Sequence, residues 1–440
     1  MGFVAMMLTA VVVVHLYLWR RLVRASTIRG SRPRRVLTWV LLAPAVVMVV
    51  AFLGGRLGIG MDVERVVAWP GYLWLAVMFY LFVFGLVMEV PRAVATFVVS
   101  RRRRTAEPAA AAEPVDGESA PVDEVVLAGA AAGGGATAHG TATTGRPVAE
   151  GVAAAVPAID RRLFISRTAS AVVAAGALAT VGYGVSRALG DPVIERVPVR
   201  LPRLDPRMSG LRIAVVSDIH LGPLTGRGHT ERIVRMINGL EADAVTIVGD
   251  LVDGTVAELG RLAAPLRSLE SRYGAYFVTG NHEYYTAAGP QEWIEELRSL
   301  GVRPLRNERV EIRHAGAVLD LAGVNDLNGV PSGDGPDFDK ALGGRDANRP
   351  VVLMAHQPVQ VTQAAAHGVD LQLSGHTHGG QMAPINLFVP LQQPVVAGLA
   401  SVPRTGGGDT QVYVTRGAGF WGPPVRVGAP PEITLIELRT

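Results

Sequence analysis

Five short polar clusters in the second half of the chain hold the residues whose types and spacing could do chemistry. They read Asp218-Ile219-His220, Gly249-Asp250, Gly280-Asn281-His282-Glu283, His356 and Gly375-His376-Thr377-His378-Gly379-Gly380. Each places Asp, Asn or His at the end of an apolar run. Asp218 and His220 stand two apart, so strand alternation would point both the same way and let both ligate one ion. Asp250 ends the next run, where a carboxylate could bridge two ions, and Asn281 offers a neutral carbonyl oxygen. His356 follows the run 351–355. His376 and His378 are again two apart, between glycines that permit close backbone approach. Carboxylate and amide oxygens with four imidazoles suit Mn, Fe, Zn or Co, and fit poorly with Ca or an all-oxygen Mg site. Two adjacent divalent metals on an α/β scaffold point to hydrolysis of a phosphate ester. Singly, each cluster is a weak signal, because a lone His at a strand end is more often a packing or capping residue. Together they take five of the ten histidines in the chain, which argues against scatter.

The elements that must position these residues are legible in the apolar pattern. The run 211–217 reads as a buried strand ending at Asp218, 229–240 as a helix, and 244–248 as a second strand ending at Gly249-Asp250. A helical stretch at 256–272 and a strand at 275–279, ending at Gly280-Asn281-His282, complete a β-α-β-α-β series. That series predicts a parallel sheet with packed helices, in which ligands gather beyond the carboxyl ends of the strands. Shorter strand-like runs at 309–313, 317–322, 351–355, 370–373, 411–415 and 432–438 predict a second sheet carrying the later histidines.

The first half is of another kind. The 440-residue chain has a mean hydropathy of +0.28, a net charge of +4 and no cysteine, so disulfides, thiolate metal sites and Cys nucleophiles are excluded. Its basic residues are nearly all Arg, with no basic stripe interleaved with aromatics in the second half, so no nucleic-acid partner is expected. Residues 2–19, 36–54 and 71–90 are apolar stretches near the ~20 residues that cross a bilayer, with Trp39, Trp69, Tyr72 and Trp74 near span ends. Seven Arg in 20–35 and four at Arg101–Arg104 predict a cytoplasmic location for those segments and an outside N-terminus. Residues 101–160, rich in Ala, Gly and Pro, read as a disordered linker. In 161–190, Arg161-Arg162-Leu163-Phe164-Ile165 is similar to a twin-arginine signal and precedes a fourth candidate span at 168–186. The expected organisation is therefore a transmembrane module at 1–100, the linker, the 161–190 segment, and a globular domain at 195–440 on the extracytoplasmic side of a multi-pass membrane protein.

The order of the five clusters resembles the pattern of the calcineurin-like metallophosphoesterase superfamily over residues 211–438. The strings Gly379-Gly380-Gln381, Thr415-Arg416-Gly417 and Trp421-Gly422-Pro423-Pro424 are similar to a membrane-anchored or exported bacterial branch. The resemblance implies an α/β fold: a two-sheet metallophosphoesterase sandwich flanked by helices, here preceded by an N-terminal helical transmembrane region. It implies that Asp218, His220 and His378 hold one metal, Asn281, His356 and His376 hold another, and Asp250 bridges them. His282 would be an acid near the leaving group, with Asn281 and His282 touching substrate and Glu283 either orienting His282 or solvated. The implied activity is that of a dinuclear-metal phosphoesterase cleaving phosphomono- or phosphodiesters by attack of a metal-activated hydroxide on phosphorus. Its partners would be the lipid bilayer and a phosphate ester, with lipid-linked or envelope esters as candidates. The alternative reading is a non-catalytic membrane sensor or scaffold that uses the same domain to bind a ligand.

Overall fold

The computed structural model describes residues 2–54, 60–105, 161–286, 288–404 and 407–440. Most of the expected linker, from 106 to 160, lies outside the described residues. Among the described residues, four helices are long and apolar enough to cross a membrane. They are α1 (Gly2–Leu18), α2 (Arg32–Leu53), α3 (Met61–Thr105) and α4 (Arg161–Leu189). A π-helical turn, Trp19–Arg24, continues α1. The Ser31 hydroxyl accepts the Arg34 N–H and starts α2.

These helices exceed the apolar stretches read from sequence. The third stretch, 71–90, is the middle of a helix of 45 residues. At ~1.5 Å per residue it runs about 67 Å, more than twice the ~30 Å thickness of a bilayer's hydrocarbon core. Arg101 to Arg104 continue α3 rather than begin a linker. Contacts fix the helix directions. The Trp74 indole N–H donates to His15 Nε2 at 3.2 Å and the Tyr17 hydroxyl donates to Glu89 at 3.0 Å, so α1 and α3 run parallel. Gly71 abuts Ala51 near the end of α2, while Thr38 near its start accepts from Trp19, at the end of α1 that meets Glu89, so α2 is antiparallel to α3. Gly176 on α4 faces Phe84, while Arg167, near the start of α4, donates to the Ser26 carbonyl, so α4 is antiparallel as well. Arginines 20, 21, 24, 29, 32, 34, 35, 92 and 167 thereby collect at one end of the bundle. The globular part docks on the other.

That part is built from two six-stranded sheets. The first sheet has the order β1-β12-β2-β3-β4-β5, from β1 (Val193–Arg200), β2 (Arg212–Val216), β3 (Ala244–Val248), β4 (Ala275–Val278), β5 (Val302–Pro304) and β12 (Glu432–Arg439). The neighbours β2, β3, β4 and β5 are parallel, as the β-α-β series requires. The second sheet has the order β10-β11-β9-β8-β7-β6. Its strands are β6 (Glu308–His314), β7 (Ala317–Gly323), β8 (Val351–Met354), β9 (Leu371–Ser374), β10 (Gly398–Pro403) and β11 (Asp409–Val414). One expected strand changes sheets. The run 432–438 does not join the later strands but inserts into the first sheet between β1 and β2. Local pattern cannot foresee a pairing between residues more than 200 positions apart.

Alternation along each strand builds four layers. Ile213 and Val215 of β2 face Leu321 and Met354 of the other sheet. Ala214 and Val216 face the opposite way, onto α5 (Arg227–Asn238), α6 (Val256–Ala263) and α7 (Gln291–Ser299). Beneath the second sheet, Ala322, Val351 and Leu353 pack on α8 (Phe338–Leu342) and α9 (Val361–Ala366). The apolar stripe Ile233, Val234 and Ile237 holds α5 down. A reciprocal pair of Thr255 and Glu258 caps α6.

Trp293 on α7 is fully buried, and its indole N–H donates to the Gly254 carbonyl at 2.8 Å, tying the helix to the loop that leaves β3. Trp293→Ala removes both the packing and the tie. The expected loss is ~3–5 kcal/mol, read as a lowered denaturation midpoint of the detergent-purified protein; a change under ~1 kcal/mol would contradict this account of the layer.

Candidate metal centre

Every candidate donor lies just past the end of a strand, but strand alternation is not what aims them. β2 ends at Val216 and β3 at Val248. Beyond those ends Asp218, His220 and Asp250 adopt left-handed backbone conformations, with φ of 52°, 50° and 50°. His376 (72°) and His378 (51°) do the same after β9. Non-glycine residues held there cost about 1–3 kcal/mol each and persist where surrounding contacts over-determine them. Here the contacts are backbone hydrogen bonds between strand ends: Asp218 N–H to Gly249 O at 3.1 Å, and His220 N–H to Asp250 O at 3.2 Å. Two glycines permit the crowding. A Cβ on Gly280 would collide with the Asp250 carboxylate, and one on Gly375 with Ser217 and the Asp218 carboxylate.

The structure brings all seven candidate donors to one place. Asp218 and Asp250 are buried, and so are His220, His356 and His378. His378 Nε2 lies 3.3 Å from Asp218 Oδ1, and His220 Nε2 lies 3.9 Å from Asp250 Oδ2. His356 Nε2 is 3.2 Å from Asp250 Oδ2 and 3.2 Å from Asn281 Oδ1. His376 Nδ1 is 2.8 Å from that same Asn281 oxygen. His220 Nε2 and His378 Nε2 face each other at 3.0 Å, an arrangement of imidazole nitrogens that a shared cation would satisfy. Asp250 and His220 recur in adjoining donor groups: Asp218, His220 and His378; His220, Asp250 and His282; and Asp250, His356 and His376. Within each group the ligand atoms lie within 4.8 Å of one another. The donor set fits divalent cations of the Mn, Fe, Zn or Co kind.

Neighbouring groups orient these donors. Asp253 accepts from His220 Nδ1 at 2.8 Å and from His282 Nδ1 at 2.7 Å. That fixes the His220 tautomer with its proton on Nδ1 and turns its Nε2 lone pair toward His378 Nε2. Burial would raise the Asp253 pKa, but the charge and hydrogen bond of His220, with those of His282, hold it well below the usual carboxylate range. Burial would lower the His282 pKa; the charge of Asp250 and the bond to Asp253 outweigh it and raise it to about 9. Cations at Asp250 would cancel part of that rise, while the bond to Asp253 would stay. Desolvation, then the positive charge of Arg426, holds the His378 pKa well below its ordinary value. Arg426 Nη2 lies 3.0 Å from His378 Nδ1, which accepts from it, so His378 is neutral.

Glu283 takes neither of its two expected roles. Its buried carboxylate accepts the N–H groups of Gly280 (2.6 Å), Leu251 (2.8 Å) and Asp250 (3.1 Å), knotting the ends of β3 and β4 together. Burial, followed by the charge of Asp250, raises its pKa to about 7. Arg416 of the Thr415-Arg416-Gly417 string is paired with Glu195 and Glu432 at 2.6 Å each. Tyr284 turns away to Asp334, whereas Tyr285 stays exposed, lies 4.7 Å from the His282 ring, and accepts the Asn281 amide N–H at 2.9 Å. That bond turns the Asn281 oxygen toward His356 and His376. Asp326 caps the turn 327–332 through the Asn328 N–H. Of the histidines outside the clusters, His229 is half-buried beside Arg232, and burial lowers its pKa to about 4.

Sequence reasoning missed four residues around the site. Asp253 had a signal, a carboxylate three residues after Asp250 in an otherwise apolar turn. Arg426 and Trp421 are far along the chain, and Tyr72 belongs to a membrane helix. The Trp421 ring lies 5.9 Å from His282, and Tyr72 packs beside the adjacent Gly422 within electrostatic reach of Asp253.

With this geometry in hand, comparison with known proteins is direct. The profile of calcineurin-like phosphoesterases matches residues 211–380. The chain is 42% identical over 297 residues to a Bos taurus transmembrane protein with metallophosphoesterase domain, covering 65% of each. An uncharacterized metallophosphoesterase of Helicobacter pylori is 40% identical over 266 residues, covering 59% of this chain and 68% of that protein. The chain spans less than two thirds of the length of the Bos taurus relative and of a Danio rerio relative with the same name, at 65% and 60%. A solved dimetal phosphatase from Danio rerio aligns over 52% of this chain and 93% of that one, with a TM-score of 0.34 and 11% identity. The chain is a member of the calcineurin-like metallophosphoesterase family.

Proposed function

We propose that the protein is a multi-pass, membrane-anchored phosphoesterase that uses two divalent cations to hydrolyse phosphomono- or phosphodiesters on the extracytoplasmic face, with amphiphilic envelope esters as substrates. The observation that carries this reading is the meeting of donors from five distant stretches, with Asp250 and His220 common to adjoining groups. In this reading Asp218, His220 and His378 hold one cation, Asn281, His356 and His376 hold the other, and Asp250 contacts both. Bound there, such a pair supplies Lewis acidity toward the phosphoryl oxygens and a water acidified toward neutrality.

The chain's own groups do the rest. Asp253 keeps His282 upright and protonated at Nδ1, and Asp250 favours the charge on its ring, so Nε2 can deliver a proton to the leaving oxygen. Tyr285 holds the Asn281 side chain so that its oxygen faces His356 and His376. Trp421 and Tyr285 border His282 and limit water around the leaving group. The arginines at the far end of the bundle favour a cytoplasmic location for that end and so support an extracytoplasmic site. The relatives named for their membrane segments support anchorage.

Four expected outcomes test this reading. His282→Ala lowers turnover of bis-p-nitrophenyl phosphate about 10²–10⁴-fold, with two metals per chain retained by mass spectrometry. Asp250→Ala loses metal together with activity; full hydrolysis by that variant would remove Asp250 from its bridging role. Wild-type protein that binds two metals yet hydrolyses no ester would favour the sensor or scaffold instead. Asp253→Asn weakens metal retention or turnover about 10–100-fold, because both His220 and His282 lose their orienting partner; unchanged values for both would remove Asp253 from this role. An alkaline phosphatase fused after Thr440 is active in cells while a green fluorescent protein fused there is dark, and the reverse pattern would put the site in the cytoplasm.

A further inference from the structure

We propose that the loop at 385–391 lies in the bilayer surface beside the metal centre, so that the catalytic mouth opens onto lipid headgroups rather than bulk water. The inference rests on the reading above that the four helices span a membrane, and it names the surface that would present substrate to that site.

Four observations point there. First, Ile385-Asn386-Leu387-Phe388-Val389-Pro390-Leu391 folds as two short turns that expose their large apolar side chains: Leu387 is 70%, Phe388 62% and Leu391 81% exposed. Contiguous apolar exposure of this kind marks an interaction surface, whereas scattered exposed residues do not. Second, no Asp, Glu, Lys or Arg occurs from Leu371 to Pro403, in a chain that is 18% charged. A water-facing loop of ordinary composition would carry several.

Third, the loop is continuous with the helix bundle. Met382 at its root is buried in one cluster with Val181 of α4, Met48 of α2 and Val425, and Arg426 N–H donates to the Gly184 carbonyl of α4 at 2.9 Å. The root therefore sits at the domain-facing ends of the membrane helices. The depth agrees, because Tyr72 of α3 packs beside Gly422, and tyrosines gather at headgroup level. Above it, α3 already meets the globular domain, where Arg65 donates to the Pro223 carbonyl at 3.1 Å. The bilayer boundary on α3 thus lies near Tyr72, level with Trp421.

Fourth, the loop is wired to the site. It follows His376 and His378 directly. Gln381 at its root and Trp421, which borders His282, exchange hydrogen bonds of 2.9 and 3.0 Å. At its return, the Gln393 side chain accepts the Val359 N–H at 3.0 Å, three residues after His356. An apolar loop with charge-free flanks, beside a bilayer and a phosphate site, is suited to insert its side chains at the acyl–headgroup boundary and to hold the mouth against a lipid phosphate.

The absence of cysteine permits a direct test that needs neither metal nor turnover. Leu387→Cys and Leu391→Cys, each carrying an environment-sensitive fluorophore, are placed in vesicles of brominated and unbrominated phosphatidylcholine, with Ala347→Cys on an exposed loop as the reference. The expected result is blue-shifted emission, quenching by the brominated lipid and protection from aqueous iodide at 387 and 391, with the opposite at 347. Iodide quenching at 387 and 391 equal to that at 347, with no effect of bromination, would overturn the proposal. Disulfide-linked dimers of the unlabelled Leu391→Cys variant, without lipid quenching of the labelled one, would also overturn it, assigning the loop to a second copy of the chain. The two readings separate cleanly. Lipid quenching in a protein that hydrolyses no ester sinks the proposed function alone, and hydrolysis without lipid quenching sinks the loop placement alone.

Discussion

Two carboxylates, Asp218 and Asp250, are buried at the ends of adjacent parallel strands, and most features of the globular domain follow from making that tolerable. A buried carboxylate without compensation costs several kcal/mol. Each here accepts a backbone N–H, His376 for Asp218 and His282 for Asp250. Each also faces imidazole nitrogens within 4 Å. His220 Nε2 and His378 Nε2 meet at 3.0 Å beside the two carboxylates, and a divalent cation would suit that set of donors.

Positioning those groups requires backbone that ordinary strand geometry does not provide. The left-handed conformations at five of the seven donors convert the ends of β2, β3 and β9 into sharp turns that aim side chains into a common space. The strain is held by the ladder between strand ends and by the buried Glu283, whose oxygens take four backbone N–H groups around Asp250 and Gly280. Glu283 therefore sets geometry that the candidate donors need, without being one of them.

The membrane helices and the globular domain form one structure at the site's edge. The upper turns of α3 meet the loop after β2 through Arg65, and α4 feeds directly into β1, the outer strand of the first sheet, beside β12. Helix ends, Tyr72 and Trp421 together make the rim. These contacts set the position of the globular domain on the helix bundle.

The donor types, their order and their places after apolar runs were legible in the sequence, because metal ligation demands particular side chains and strands demand particular apolar periods. The parallel core of the first sheet was legible too, since local alternation of strand and helix leaves few topologies. The insertion of residues 432–439 between β1 and β2 was not, because strand pairing depends on contacts remote along the chain. Nor were the roles of Asp253, Glu283 and Arg426. A carboxylate or guanidinium carries the same local pattern whether it is solvated, paired at the surface or buried against a ligand, and only the folded packing decides which. The nearness of Tyr72 to the site belongs to the same class. Apolar length determined that its helix could cross a membrane, while the docking of two separately legible halves determined what it touches there.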